Sequence, residues 1–178
     1  MGKRYDSYCG LYCGACPIQA ATEKGEVEKK AEEWGLPAKD VVCQGCKSKV
    51  NAGLSADCVI RLCARDHGFE SCAECDEFPC GTIQTLERDG YPHHTAITAN
   101  LEAIYERGVD AWLAEQKKRW SCAACGTPFT WYEEKCSSCG AEVYGARAEE
   151  RDMAEERGER ADEDSPYWKI RRDLSRFR

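Results

Sequence analysis

A chain of 178 residues with a net charge of -7 and 42% hydrophobic content, its 14 cysteines included, has room for one modest domain or a small domain with an appended module. The acidic balance argues against a general nucleic-acid binder, because phosphate neutralisation needs a basic surface. No run approaches the roughly 18 apolar residues of a membrane span, and Met1-Gly-Lys-Arg-Tyr-Asp lacks an apolar leader core, so a soluble cytoplasmic protein with no membrane association is expected. In a reducing cytosol thiols this dense are retained when something occupies them, which predicts metal ligands in preference to disulfides.

The first cysteines stand in Cys9-Gly-Leu-Tyr-Cys13-Gly-Ala-Cys16-Pro17. Pro17 suits the first position of a helix, where its missing N–H is not needed. Ala20, Val27, Ala31 and Trp34 share a helical stripe, with Gly25 as a break and Gly35-Leu-Pro37 as the stop. Val41-Val42-Cys43-Gln-Gly-Cys46 reads as a short extended piece entering a metal knuckle. Asp57 is placed to cap a helix from about Cys58 to His67. Cys58 and Cys63 on that helix are five apart, roughly 140° around the axis, so they do not both face one site. One suits a ligand at the helix start and the other a buried thiol.

Cys72-x2-Cys75-x4-Cys80 follows, with Phe78-Pro79 as a rigid turn. Thr82 is expected to cap a helix carrying Ile83 and Leu86, and Thr95 one carrying Ile97, Leu101, Ile104 and Tyr105. Gly108 ends that helix, and Val109, Trp112, Leu113 and Trp120 restart a stripe after it.

The most specific signal is Cys122-Ala-Ala-Cys125-Gly126 with Cys136-Ser-Ser-Cys139-Gly140, ten residues apart. Each CxxC turn presents two sulfurs to one ion, and the glycine after it permits the positive φ that turns backbone N–H groups toward the thiolates. A zinc ribbon is predicted here. Beyond it, residues 147–164 carry nine acids against four bases and residues 165–178 one acid against five bases. Glu156 and Arg160 are placed to pair across a helical turn, and Pro166-Tyr-Trp168-Lys-Ile170 to dock on a partner or on the acidic body.

The expected fold is therefore α+β, small and irregular. An α-rich, metal-stabilised cysteine-rich domain (1–119) is followed by a β zinc ribbon (120–145) and a charged C-terminal tail (146–178).

The ten N-terminal thiols divide in several ways. Two four-thiolate sites are favoured, Cys43 and Cys46 with Cys72 and Cys75, and Cys9, Cys13 and Cys16 with Cys80. Cys58 and Cys63 are then the remainder or a substitute pair. Three tetrahedral sites would also need two of His67, His93 and His94. Zinc in all sites is the leading expectation, with Zn2+ in the ribbon. A [4Fe-4S] cluster in the N-terminal domain is the alternative, because Cys16-Pro17 is like the Cys-Pro that ends a ferredoxin ligand run. Cys9-x3-Cys13-x2-Cys16 also has the spacing of a radical S-adenosylmethionine site, but the domain after it is too short for the repeated strand–helix barrel that such enzymes need. His93-His94 is read as solvent-facing or capping, with completion of a metal site as the other reading. With no GxSxG, HExxH or phosphate-cradling glycine loop, no catalytic residue and no small-molecule substrate are inferred.

From Cys9-Gly-Leu-Tyr-Cys-Gly-Ala-Cys-Pro17 through Cys43-Gln-Gly-Cys46, Cys58 and Cys63 to Glu77-Phe-Pro-Cys80, the chain resembles the prokaryotic cysteine-rich domain-of-unknown-function family 3795. The resemblance extends to members that continue through a helix like Trp112-Leu-Ala-Glu-Gln-Lys-Lys-Arg-Trp120 into a CxxC ribbon, so it is drawn over roughly residues 5–145. It implies a metal-binding domain without an assigned reaction.

The leading functional expectation is a non-catalytic zinc protein acting as an interaction or regulatory module for a protein partner. An iron–sulfur electron-transfer protein is one alternative. Nucleic-acid binding through the ribbon, using Lys117, Lys118, Arg119, Phe129, Trp131 and Tyr132, is the other.

Overall fold

The computed structural model describes residues 4–158. Among the described residues seven α-helices succeed one another: α1 (Pro17–Lys24), α2 (Val27–Trp34), α3 (Val59–Asp66), α4 (Gly81–Glu87), α5 (Ile97–Arg107), α6 (Val109–Arg119) and α7 (Ala146–Glu156). Their ends follow local chemistry. Pro17 opens α1, and Gly25 and Gly35 close α1 and α2 in the left-handed conformation that a residue without Cβ adopts at no steric cost. Gly108 closes α5 and is also the residue before α6. Three sequence-predicted caps lie elsewhere: Cys58, Cys80 and Ala96, not Asp57, Thr82 and Thr95, stand at the starts of α3, α4 and α5.

α5 packs on α6 and α4, and α1 on α2. Trp112 of α6 is 1% exposed, with Ile83, Ile97, Leu101, Trp120 and Phe129 around it in the main core. Tyr12 meets the Trp112 ring edge-on at 6.1 Å. The Trp112 indole N–H donates to Asn100 Oδ1 at 3.2 Å, so its polar edge is also satisfied. Burying each of these large apolar side chains stabilises by about 1.5–3 kcal/mol. A second, smaller cluster joins Ile18, Ala31, Val41 and Ala52 under α1 and α2, with Cys16 and Cys43 against it.

Two glycines allow close approaches that position the cysteines. At Gly10, with φ +81°, a Cβ would stand 2.9 Å from Leu101 Cγ. At Gly45, with φ +101°, it would stand 2.8 Å from the Arg4 carbonyl oxygen. The Cys9 strand of chain therefore lies directly on α5, and the Cys43–Cys46 turn directly on the N-terminal segment.

The expected α+β class is overturned: among the described residues the structure is helical and has no strand, so residues 120–145 are not a β zinc ribbon. The two CxxC turns each close on themselves through a single isolated bridge, Ser121 with Pro128 and Lys135 with Glu142. Between them the backbone is engaged elsewhere. The Trp131 N–H donates to the Ala15 carbonyl at 3.1 Å and the Trp131 carbonyl accepts from Ala146 at 2.8 Å. Those groups are unavailable for a ladder between the two halves. Val41 to Gly45, expected as a short extended piece, belongs to no strand, and a turn starts at Cys46. The Glu156–Arg160 pair and the docking segment 166–170 concern residues outside those described.

Candidate metal centres

The four C-terminal cysteines converge. The Cys122 N–H donates to the Thr127 carbonyl at 2.9 Å and Gly126 N–H to the Cys122 carbonyl at 2.8 Å; Cys136 with Ala141 and Gly140 with Cys136 repeat the pattern at 2.8 and 2.9 Å. Gly126 and Gly140 both have φ +74°, as the sequence pattern requires. The two matching turns bring Cys122 Sγ to 3.7 Å from Cys139 Sγ and Cys125 Sγ to 3.6 Å from Cys136 Sγ. All four ligand atoms lie within 4.8 Å of one another, a set that could hold a metal ion. Cys122 and Cys136 are buried, and Cys125 and Cys139 exposed.

The charges within the set are strongly linked. The hydrogen bond with Thr127, ahead of those with its neighbours, pulls Cys125 down to about 6. At Cys139 the Ala141 N–H favours the thiolate, but hydrogen bonding with Cys125 and Cys122 outweighs it and pushes the thiol up to about 12. The two shifts are linked, the sulfur that is favoured as thiolate raising its neighbour.

The ten N-terminal thiols are arranged differently. Cys9, Cys13, Cys16, Cys43, Cys46 and Cys58 line one cavity of about 1370 Å³. Cys16 lies near Cys43, Cys13 near Cys16, Cys46 and Cys9, and Cys46 near Cys9 and Cys58. Cys72 lies near Cys9, Cys80, Cys63 and Cys75. Cys43 and Cys46 are therefore beside Cys9, Cys13 and Cys16, and Cys80 is beside Cys72. The favoured sequence partition set Cys43 and Cys46 with Cys72 and Cys75, and Cys9, Cys13 and Cys16 with Cys80; spacing along the chain does not tell which knuckles meet in space. Cys58, left over in that partition, is on the cavity wall at the start of α3, while Cys63 is exposed. Among the described residues, no three N-terminal ligand atoms are as close together as the set at 122–139.

Burial pushes five of these thiols up, Cys9 above and Cys13 well above the ordinary value, Cys16 and Cys46 to about 11 and Cys72 to about 12. Backbone N–H groups act in the opposite direction: Cys46 toward Cys13, Ile18 and Gln19 toward Cys16, Tyr8 toward Cys46 and Leu11 toward Cys9. Amide hydrogens aimed at sulfur are the surroundings of a thiolate, and burial without a cation opposes its ionisation.

An ion-paired clasp, invisible in the cysteine pattern, holds this region together. The Asp6 side chain is 2% exposed and accepts from Lys47 Nζ at 2.6 Å and from Arg4 at 2.9 Å. Burial alone would raise its carboxyl, but Arg4 and Lys47 hold it below the usual value. Because Lys47 follows Cys46, the pair fixes the second knuckle beside the first.

None of the three histidines joins a metal-type set. His67 Nδ1 faces the Cys63 carbonyl at 2.9 Å within α3's last turn, and His94 Nδ1 pairs with Asp89 at 2.9 Å. His93, expected as solvent-facing or capping, is stacked on Trp131 at 4.0 Å and bonded to the Tyr132 hydroxyl at 2.5 Å. Half-buried there, its imidazole is held well below 6.5 by desolvation and by the neighbouring His94. Phe129 is 4% exposed, and Arg119 donates to the Tyr144 carbonyl and pairs with Glu149 at 3.4 Å. The aromatic residues expected as a stacking surface for nucleic acid thus join the C-terminal unit to the rest of the fold.

The family model described as "Protein of unknown function (DUF3795)" matches residues 5–85. That segment contains all ten N-terminal cysteines and supports the family resemblance there; it stops short of the expected residue 145 and of the four cysteines at 122–139. No curated protein and no solved structure matches the chain. No described helix is long and apolar enough to cross a membrane.

Proposed function

We propose that the chain is a non-catalytic metal-binding protein in which Cys122, Cys125, Cys136 and Cys139 hold one zinc ion and the metal-braced body serves as an interaction or regulatory module for a protein partner. The observation that carries this reading is the pair of S···S distances, 3.6 and 3.7 Å. Four thiolates at about 2.3 Å from one tetrahedral zinc stand about 3.8 Å apart. With all four positions supplied by protein, such a site has no open place for water or substrate, which is the composition of a structural zinc site. The net charge of -7 favours a partner with a basic face. The test is metal content in the full chain: a C122S/C136S variant is expected to contain one zinc fewer per chain than the parent, and an unchanged zinc content would reject the assignment.

The six-cysteine cavity supports a second reading for the N-terminal half, an iron–sulfur electron-transfer centre. Thiolates bound to different corners of a cluster stand further apart than thiolates sharing one ion, and the looser N-terminal grouping suits that larger body. When bound, such a cluster supplies one-electron chemistry. The chain's own part is the ligand thiols and the amide hydrogens of Tyr8, Leu11, Ile18 and Cys46 directed at them.

A further inference from the structure

Arg61 is 6% exposed and lines the six-cysteine cavity. Its Nη2 donates to the Ala56 carbonyl, while Nε and Nη1 are buried without a hydrogen-bond partner. A buried guanidinium with two idle donors is costly unless an anion faces it. A thiol is within reach of its charge: Arg61 acts on Cys46, on which Cys9 and Cys58 also act. Cys58 is the residue before α3 and Arg61 lies three residues further on, so both stand on one face of the first helical turn. The amide of Cys46 points at the Cys13 thiol, which adds a fourth sulfur to the group.

We propose that the cavity takes an iron–sulfur cluster on Cys9, Cys13, Cys46 and Cys58, and that Arg61 is its positioning residue, directing its two unpartnered N–H groups at the cluster's sulfur. The proposal rests on the second functional reading above. Four thiolates on an oxidised four-iron cube leave two net negative charges, which the single buried cation partly balances. Reduction adds a further negative charge, so the guanidinium favours the reduced state and raises the potential. Its anchor on Ala56 fixes the fork, and Lys, with a different donor geometry, can replace the charge but not both bonds.

The experiment uses the full chain purified without air, measuring iron and acid-labile sulfide together with an EPR-monitored redox titration. The parent is expected to contain sulfide. C58A is expected to lose one cluster's iron and sulfide. R61M is expected to keep the cluster at a lower midpoint potential, and R61K to recover part of the shift. L62A, altering an exposed position of the same helix, is expected to match the parent. Full iron and sulfide in C58A, or a parental potential in R61M, overturns the ligand set or the role of Arg61. A parent without sulfide overturns the iron–sulfur reading itself.

Discussion

The two cysteine regions solve the same problem, burying thiols in a small fold, by different means. At 122–139 four sulfurs meet within 4.8 Å on two self-closed turns, and two of the four are exposed. At 9–80 the sulfurs are spread round a cavity and along Cys72, wrapped by α1, α3 and α4 and by a packed core. The first region is ordered by its ligands and by the seam of Phe129, Trp131 and Tyr132, while the second has a wider apolar core and the Asp6 clasp as well. Metal should consequently dictate the fold of one and only brace the other.

The sharpest way to separate them is to delete a ligand in the first. C136S removes a buried thiol and should abolish a binding free energy on the order of 10–16 kcal/mol for a structural zinc. Amide exchange should become fast over 121–145 while α5 and α6 stay protected; loss of protection throughout would break the comparison. Next in size, D6A removes the closer of two carboxylates from Lys47, whose side chain is 6% exposed, and leaves Glu70 at 3.3 Å. Because one partner remains, a loss of about 3 kcal/mol in denaturant unfolding is expected, with zinc at 122–139 retained. Asp6 is held below 3.8, so its contribution is present above that value and is lost as pH falls through the depressed one.

A smaller effect is expected from G45A. The added Cβ would meet the Arg4 carbonyl at 2.8 Å in a φ +101° conformation, costing about 1–3 kcal/mol of stability and shifting Cys46. The smallest concerns the seam between the regions. His93 is held neutral, well below 6.5, so the unfolded chain takes up its proton first. Stability is full above 6.5 and falls as the pH drops from there toward the depressed value. H93F, which keeps a ring against Trp131, should flatten the loss of stability between about pH 7 and pH 5, and an unchanged slope would remove His93 from the seam.

Much of this was legible in the residues. Pro17, Gly25, Gly35 and Gly108 mark helix ends by backbone chemistry that acts locally, and the apolar stripe is buried at Ile97, Leu101 and Ile104 while Tyr105, assigned to the same stripe, is 77% exposed. The CxxCG pair announced its own convergence because both turns are short and their glycines fix the geometry. What failed was tertiary. The β reading of 120–145 missed that the Trp131 backbone is taken by Ala15 and Ala146. Nor does chain spacing tell that Cys16 and Cys43 pack against one apolar cluster with Ile18 and Val41. Arg61 carried no signal in sequence, since a lone arginine on a short helix is normally solvated; only its burial reveals it.

The central claim, one ion held by four sulfurs at 122–139, is most directly tested by X-ray absorption at the zinc edge on the full chain, compared with the C122S/C136S variant. The account predicts a first shell of four sulfurs at about 2.3 Å and a signal that falls by one zinc per chain in the variant. Nitrogen or oxygen in the first shell, or zinc that persists undiminished in the variant, would contradict it.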